Sequence, residues 1–346
     1  MVHMQDLFDS GKGRRGPTVI VAADGSILAF QGYGARLRRS EDAGETWSET
    51  AELESGGGNA IVDTVTGDVL IVRPSASRLW RSRDHGRTWQ TEEISVKPNV
   101  GGHGATDHAP MSVGASSTGI TLQHGEHAGR LLMPGRVQPP MGDNAQEYWA
   151  YNYNTSMYSD DRGRTWQVSE PVQSGTGEGT LAELSDGSIY YNSRCHMAVD
   201  ARRRIAWSHD GGHRWVDWQV CETLKEIGEP FYFKYGTRPS YGCNAGLVRV
   251  PLEATNGRDV LLYSAPDNPG GTRVRMTVWA SFDRARSWSV KHLVYGGPSA
   301  YSSIAADAHG HVYLLFERGL SANPGHDIDH CNITLARFDL DWMLTG

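Results

Sequence analysis

The sequence predicts an all-β fold, a six-bladed β-propeller in which residues 1–346 form one domain. Two observations predict it: an octapeptide that recurs five times, and hairpin-like stretches between the copies. A third is composition, because 41 glycines and 11 tryptophans without long helical periodicity suit many short strands joined by tight turns.

The repeat reads S-x-D-x-G-x-T-W in SEDAGETW (Ser40 to Trp47), SRDHGRTW (Ser82 to Trp89) and SDDRGRTW (Ser159 to Trp166). SHDGGHRW has Arg214 for the threonine, and SFDRARSW has Ala285 for the glycine and Ser287 for the threonine. In each, the Asp carboxylate can accept backbone N–H bonds across a tight turn, and where the Gly is present it can take a conformation closed to other residues. The Trp then packs against its blade, so these octapeptides are structural and not catalytic.

Between them, TVIVAADGSILAF, NAIVDTVTGDVLIV, LAELSDGSIYYNSR and SIAADAHGHVYLLF each place a short Gly-containing turn between two apolar runs. The first two boxes start 42 residues apart (40 to 82), about the length of one four-stranded blade. The long second interval holds a blade plus inserted loops around 98–113 and 138–154. A sixth blade fits after the last box, from about Gly297 to Trp342, with the N-terminal strand closing the ring beside it. Asp63 caps the GNAIVDTVTGD hairpin.

The formal charge of -7 excludes a general nucleic-acid or polyanion binder, which would carry a basic face. No apolar run approaches the ~18 residues that cross a bilayer, so no membrane association is predicted. The start, MVHMQDLFDSGKGRRG, lacks the apolar core of a secretory signal, which favours the cytoplasm. Cys195, Cys221, Cys243 and Cys331 have no C-x-x-C spacing and are expected to be reduced and buried.

The repeats resemble the Asp boxes of the sialidase superfamily, and four segments between them sharpen the match to its exo-sialidases. RGP (Arg15 to Pro17) resembles the first-arginine segment. EGTLAELSDGSIYYNSR is similar to the stretch holding the catalytic glutamate, Glu178, and the second arginine, Arg194. RVRMTVWAS resembles the third-arginine strand, with Arg273 preferred over Arg275. SAYSS followed by LLFE resembles the nucleophile segment, Tyr301, and the glutamate that braces the first arginine, Glu317. GITLQHGEHAGRLLMP is a further family-like strand pair, taken as structural.

The resemblance implies a sialidase-type propeller that releases a terminal sialic or related nonulosonic acid with retention. Sialic acid carries a carboxylate on its anomeric carbon, and arginines bind carboxylates through paired, permanently charged donors. A carboxylate nucleophile would meet that group charge to charge, whereas a tyrosine approaches neutral; sialidases are a known exception that use it. A free phenol has a pKa of about 10, so Glu178 is the base that takes its proton. No cofactor or metal is implied, since the arginines do the electrostatic work. The partner is a small acidic sugar or glycan, and oligomeric state is left open.

One family feature has no counterpart. The acid/base aspartate belongs in the loop after the first strand pair, yet FQGYGARLRR (Phe30 to Arg39) contains no carboxylate. The inserted stretch GGHGATDHAP offers Asp107 and His108 as substitutes, and Glu147, Tyr148 and Trp149 in the next insertion would shape the pocket. Three other readings stay open: a hydrolase of another acidic sugar, a lyase acting on a uronic acid, and a non-catalytic binding propeller.

Overall fold

A computed structural model describes residues 1–9, 15–54, 57–98, 112–115, 117–138, 152–197, 200, 202–227, 231–232, 239–240, 242–269, 271–322 and 328–345. Apart from short turns of helix such as Leu340–Thr345, the regular structure is β-strand in a propeller-like arrangement. Three sheets have four strands each. The first joins Thr18–Val21, Ile27–Gln31, Arg36–Ser40 and Ala51–Glu52; the second joins Asn59–Val62, Val69–Arg73, Arg78–Ser82 and Gln90–Glu93. The third joins Thr176–Glu183, Ile189–Cys195, Arg202–Ser208 and Val216–Lys225.

The expectation of six blades is corrected, because among the described residues two further sheets have seven strands each and a small one has two. One seven-stranded sheet arises from a single strand, Val290–Ala306, of 17 residues. Its first half pairs with Val274–Ser281 and its second half with His311–Ala322. Gly296–Gly297–Pro298 reads as a break in sequence, yet the ladder passes through it with register shifts instead of ending. The expected N-terminal closing strand is present, His3–Asp9 pairing antiparallel with Ile328–Asp339.

Inner-strand stretches such as 27–30 and 69–72 are buried at every position because both faces of the sheet are covered. Successive side chains of a strand point to opposite faces. Ile27 and Ala29 therefore pack with Tyr313, Leu315 and Leu335, while Leu28 and Phe30 pack with Ala60, Val69 and Ile71. Leu70 and Val72 turn the other way, toward Leu131, Met133 and Trp166. Tyr191 and Leu181 meet Leu132, Tyr190 meets Tyr263 and Trp279, and Val278 meets Leu314 and Phe316. Each cluster is a seam between neighbouring strand groups, and the last group seals against the first. Truncating such a residue, Phe30 for example, removes about 3–5 kcal/mol.

The boxes pin strand to turn as the sequence predicts. In the third, Ser159 Oγ donates to Asp161 at 2.8 Å, Thr165 N–H donates to Asp161 at 2.8 Å, and Trp166 Nε1–H donates to the Gly163 carbonyl at 2.9 Å. Ala285 takes the glycine's place at φ 64°, and its N–H donates to Ser281 Oγ at 3.0 Å just as the Gly163 N–H donates to Ser159 Oγ at 2.8 Å. Asp63 accepts from Val65 N–H within its hairpin and from Arg162 of the third box, tying two neighbours together. Cys195, Cys221 and Cys243 are buried.

A cavity of about 210 Å³ is lined by residues 19–21, 62 and 64, 118–121, 181–183, 247–249 and 304–306. These are inner-strand segments, so the cavity lies where the strand groups converge. Its walls are mostly aliphatic and exclude Tyr301.

Candidate active site

Tyr301 lies in the second half of Val290–Ala306, and its ring is the point on which the candidate residues converge. Its hydroxyl donates to Glu178 Oε1 at 2.8 Å. Glu178 sits on Thr176–Glu183, where a register shift between Thr176 and Gly179 interrupts the pairing and turns the carboxylate inward. Arg194, on the paired strand Ile189–Cys195, is 1% exposed and donates through Nη1 to Glu178 Oε2 at 2.9 Å and to Tyr301 Oη at 3.0 Å.

Arg15 and Arg273 flank the same ring, with guanidinium carbons 4.6 and 5.4 Å from its centroid. Arg15 immediately precedes the first inner strand. Glu317, fully buried on His311–Ala322, holds it through Nε at 3.2 Å and Nη2 at 3.0 Å. Glu317 also accepts from the Gly16 N–H at 3.2 Å and the Tyr301 N–H at 3.1 Å, so one carboxylate fixes both the arginine and the tyrosine backbone. Arg273 is buried and donates to the Gly242 carbonyl at 3.1 Å, whereas Arg275 is exposed. The structure thus brings together Arg15, Glu178, Arg194, Arg273, Tyr301 and Glu317.

Asp107, His108, Glu147, Tyr148 and Trp149 lie outside the described residues. Three residues that sequence reasoning missed also meet the cluster. His196 Nε2 is 3.2 Å from Glu178 Oε2, and Arg136 Nη1 is 3.9 Å from Glu178 Oε1. Tyr33 stands in the loop that lacks the carboxylate, its ring packed over Gly16. Nothing in the spacing of His196 or Arg136 marks them, because only the meeting of separate strands puts them at Glu178.

The electrostatics separate the two partners of the proton. Burial works against an ionised Glu178, but Arg194, the hydrogen bond from His196 and Arg136 together hold it well below the usual carboxylate range. Tyr301 is pushed up to about 12 by burial and by the Glu178 charge, with the arginines opposing. Burial and the neighbouring Arg194 lower His196 to about 4, so it stays neutral at ordinary pH. The site therefore rests as a neutral phenol donating to an ionised carboxylate, beside guanidinium groups suited to an anion.

The family model described as a BNR repeat-like domain matches residues 71–314. The chain is a BNR-repeat protein of the sialidase superfamily. A sialidase of Micromonospora viridifaciens is 32% identical over 225 residues, covering 64% of this BNR-repeat chain and 30% of the relative. A sialidase of Clostridium perfringens is 28% identical over 164 residues, covering 47% of the chain and 37% of the relative. The chain thus spans about a third of the length of these curated relatives. Among solved structures, the intramolecular trans-sialidase of Ruminococcus gnavus superposes with a TM-score of 0.71 at 14% identity, covering 99% of this chain and 98% of that one. At that identity the likeness is one of fold.

Proposed function

We propose that the protein is a retaining exo-glycosidase that releases a terminal sialic or related nonulosonic acid from a glycan. The observation that carries this reading is the 2.8 Å contact from Tyr301 Oη to Glu178, set among Arg15, Arg194 and Arg273. The arginines receive the substrate carboxylate and thereby orient the anomeric carbon toward Tyr301 Oη. As that oxygen attacks, its proton passes to Glu178, so the phenol need not ionise beforehand despite its raised pKa. A tyrosyl–glycosyl intermediate forms, and water then releases the sugar on the same face.

The names of the relatives, all sialidases, support the substrate class.

The test is turnover of an aryl sialoside followed by fluorescence. Tyr301→Phe is expected to lower kcat by at least about 10²-fold with little change in folding, since nucleophile and base act as a unit. Undiminished turnover in Tyr301→Phe removes the mechanism.

A further inference from the structure

Tyr33 has no part in the chemistry above, yet the chain is distorted to place it at the site. Its φ is 53°, between Gly32 at 69° and Gly34 at 91°. A left-handed backbone is costly for an aromatic residue and persists only where its surroundings enforce it, often at functional sites. Here the Gly32 N–H donates to the Arg15 carbonyl at 2.8 Å and the Tyr33 N–H to the Gly16 carbonyl at 3.3 Å, while the Gly58 N–H donates to the Tyr33 carbonyl. The strained loop is thus laced to the backbone of the first arginine. A Cβ on Gly16 would lie 2.7 Å from the Tyr33 ring, so that glycine leaves room for the phenol.

The phenol lies within the electrostatic reach of Tyr301, Glu178, Glu317 and Arg15. Protein packs closely around the phenol, yet 36% of the residue stays exposed. Gln31, the other polar side chain at the head of this loop, is spent on the Asp9 carbonyl at 3.3 Å and on Arg36 at 2.8 Å. Tyr33 supplies an O–H donor where the family resemblance leaves the loop without an acid.

We propose that Tyr33 is a catalytic residue that gives its proton to the glycosidic oxygen as the leaving group departs. This rests on the glycosidase reading and deepens it. The bond from the anomeric carbon to the leaving oxygen breaks, its electron pair stays on that oxygen, and the Tyr33 proton neutralises it. The Tyr301 oxygen bonds to the carbon, and the Tyr301 proton goes to Glu178. In the second half, water attacks the carbon and gives a proton to the Tyr33 phenolate. The Tyr301–carbon bond breaks, and Tyr301 recovers its proton from Glu178, so both tyrosines return to their starting state.

Burial, with Tyr301, Glu178 and Glu317 nearby and Arg15 opposing, raises the Tyr33 pKa well above that of an ordinary phenol. That keeps the phenol protonated at working pH, so its proton is present when the leaving oxygen develops charge. An activated phenol leaves without help. The role therefore has a signature in leaving-group dependence.

The experiment compares the full chain with Tyr33→Phe, Asp107→Ala and His108→Ala on 4-nitrophenyl sialoside and on a sialosyl galactoside. Phenylalanine keeps the ring over Gly16, and an unchanged melting temperature checks the fold. Tyr33→Phe is expected to lower kcat/KM about 10²–10⁴-fold on the galactoside and less than about tenfold on the nitrophenyl substrate. Equal loss on both substrates, or no loss on either, overturns the role. So does a leaving-group-selective loss confined to Asp107→Ala or His108→Ala. A wild type that turns over neither substrate defeats the glycosidase reading itself, and this inference with it.

Discussion

Replacing Glu317 with glutamine keeps the side chain's size and removes its charge from a fully buried position. Oε1 accepts from Arg15 Nε and the Gly16 N–H, and Oε2 from Arg15 Nη2 and the Tyr301 N–H. The amide NH₂ of glutamine must replace one of these oxygens. Whichever it replaces, one buried backbone N–H then faces a donor and loses its acceptor. Leaving a buried donor unsatisfied costs about 1–3 kcal/mol. The ion pair with Arg15 adds about 1 kcal/mol, discounted because that side chain is 28% exposed and water partly replaces the carboxylate. The expected destabilisation is therefore about 2–4 kcal/mol. Urea denaturation reads it as a lowered midpoint at unchanged slope. Freed from its brace, Arg15 should also bind substrate carboxylate less rigidly, raising KM by about tenfold or more. A stability loss below about 1 kcal/mol together with an unchanged KM would refute the bracing role.

Further outcomes follow from other parts of the structure. Glu178 is active as the carboxylate and its pKa is depressed, so kcat/KM should hold through mildly acid pH and fall only well below the ordinary value of 4.5. Tyr301, at about 12, adds no loss at neutral pH; a pH–rate profile with its acid limb near 6.5 would point to a titrating histidine instead. By the same linkage, Glu178 contributes stability above its ordinary pKa that disappears as pH falls through the depressed value. Gly86→Ala should cost about 2–4 kcal/mol, since it combines a left-handed backbone with overpacking. Its φ is 91°, and the new Cβ would sit 2.8 Å from buried Leu28. Gly25→Ala, at φ 83° with open space around it, should cost only about 1 kcal/mol. Thermal melts that rank the pair the other way would refute the packing argument.

The boxes and hairpins were readable because their determinants are local. Ser159, Asp161, Gly163 and Trp166 satisfy one another within eight residues, and alternating contacts make ILAF and VLIV buried on both faces wherever the chain places them. Sequence could not foresee that Val290–Ala306 runs through Gly296–Gly297–Pro298. Two flanking strands, Val274–Ser281 and His311–Ala322, supply the pairing that overrides those turn residues. Asp107 and His108, marked by their titratable side chains and by the place of their inserted stretch before Gly119, lie outside the described residues.

Residue types at the site were visible through family resemblance, but their convergence belongs to the tertiary structure. Arg15 and Glu317 meet across 302 positions of chain, and Tyr301 and Glu178 across 123. His196, Arg136 and Tyr33 carry no local mark at all. Side-chain chemistry is a property of the residue, and the sequence determined that arginines, a phenol and carboxylates are available. Field, burial and donor–acceptor distance are properties of neighbours, and only the closing of the strand groups around one ring decides which of those residues act on each other.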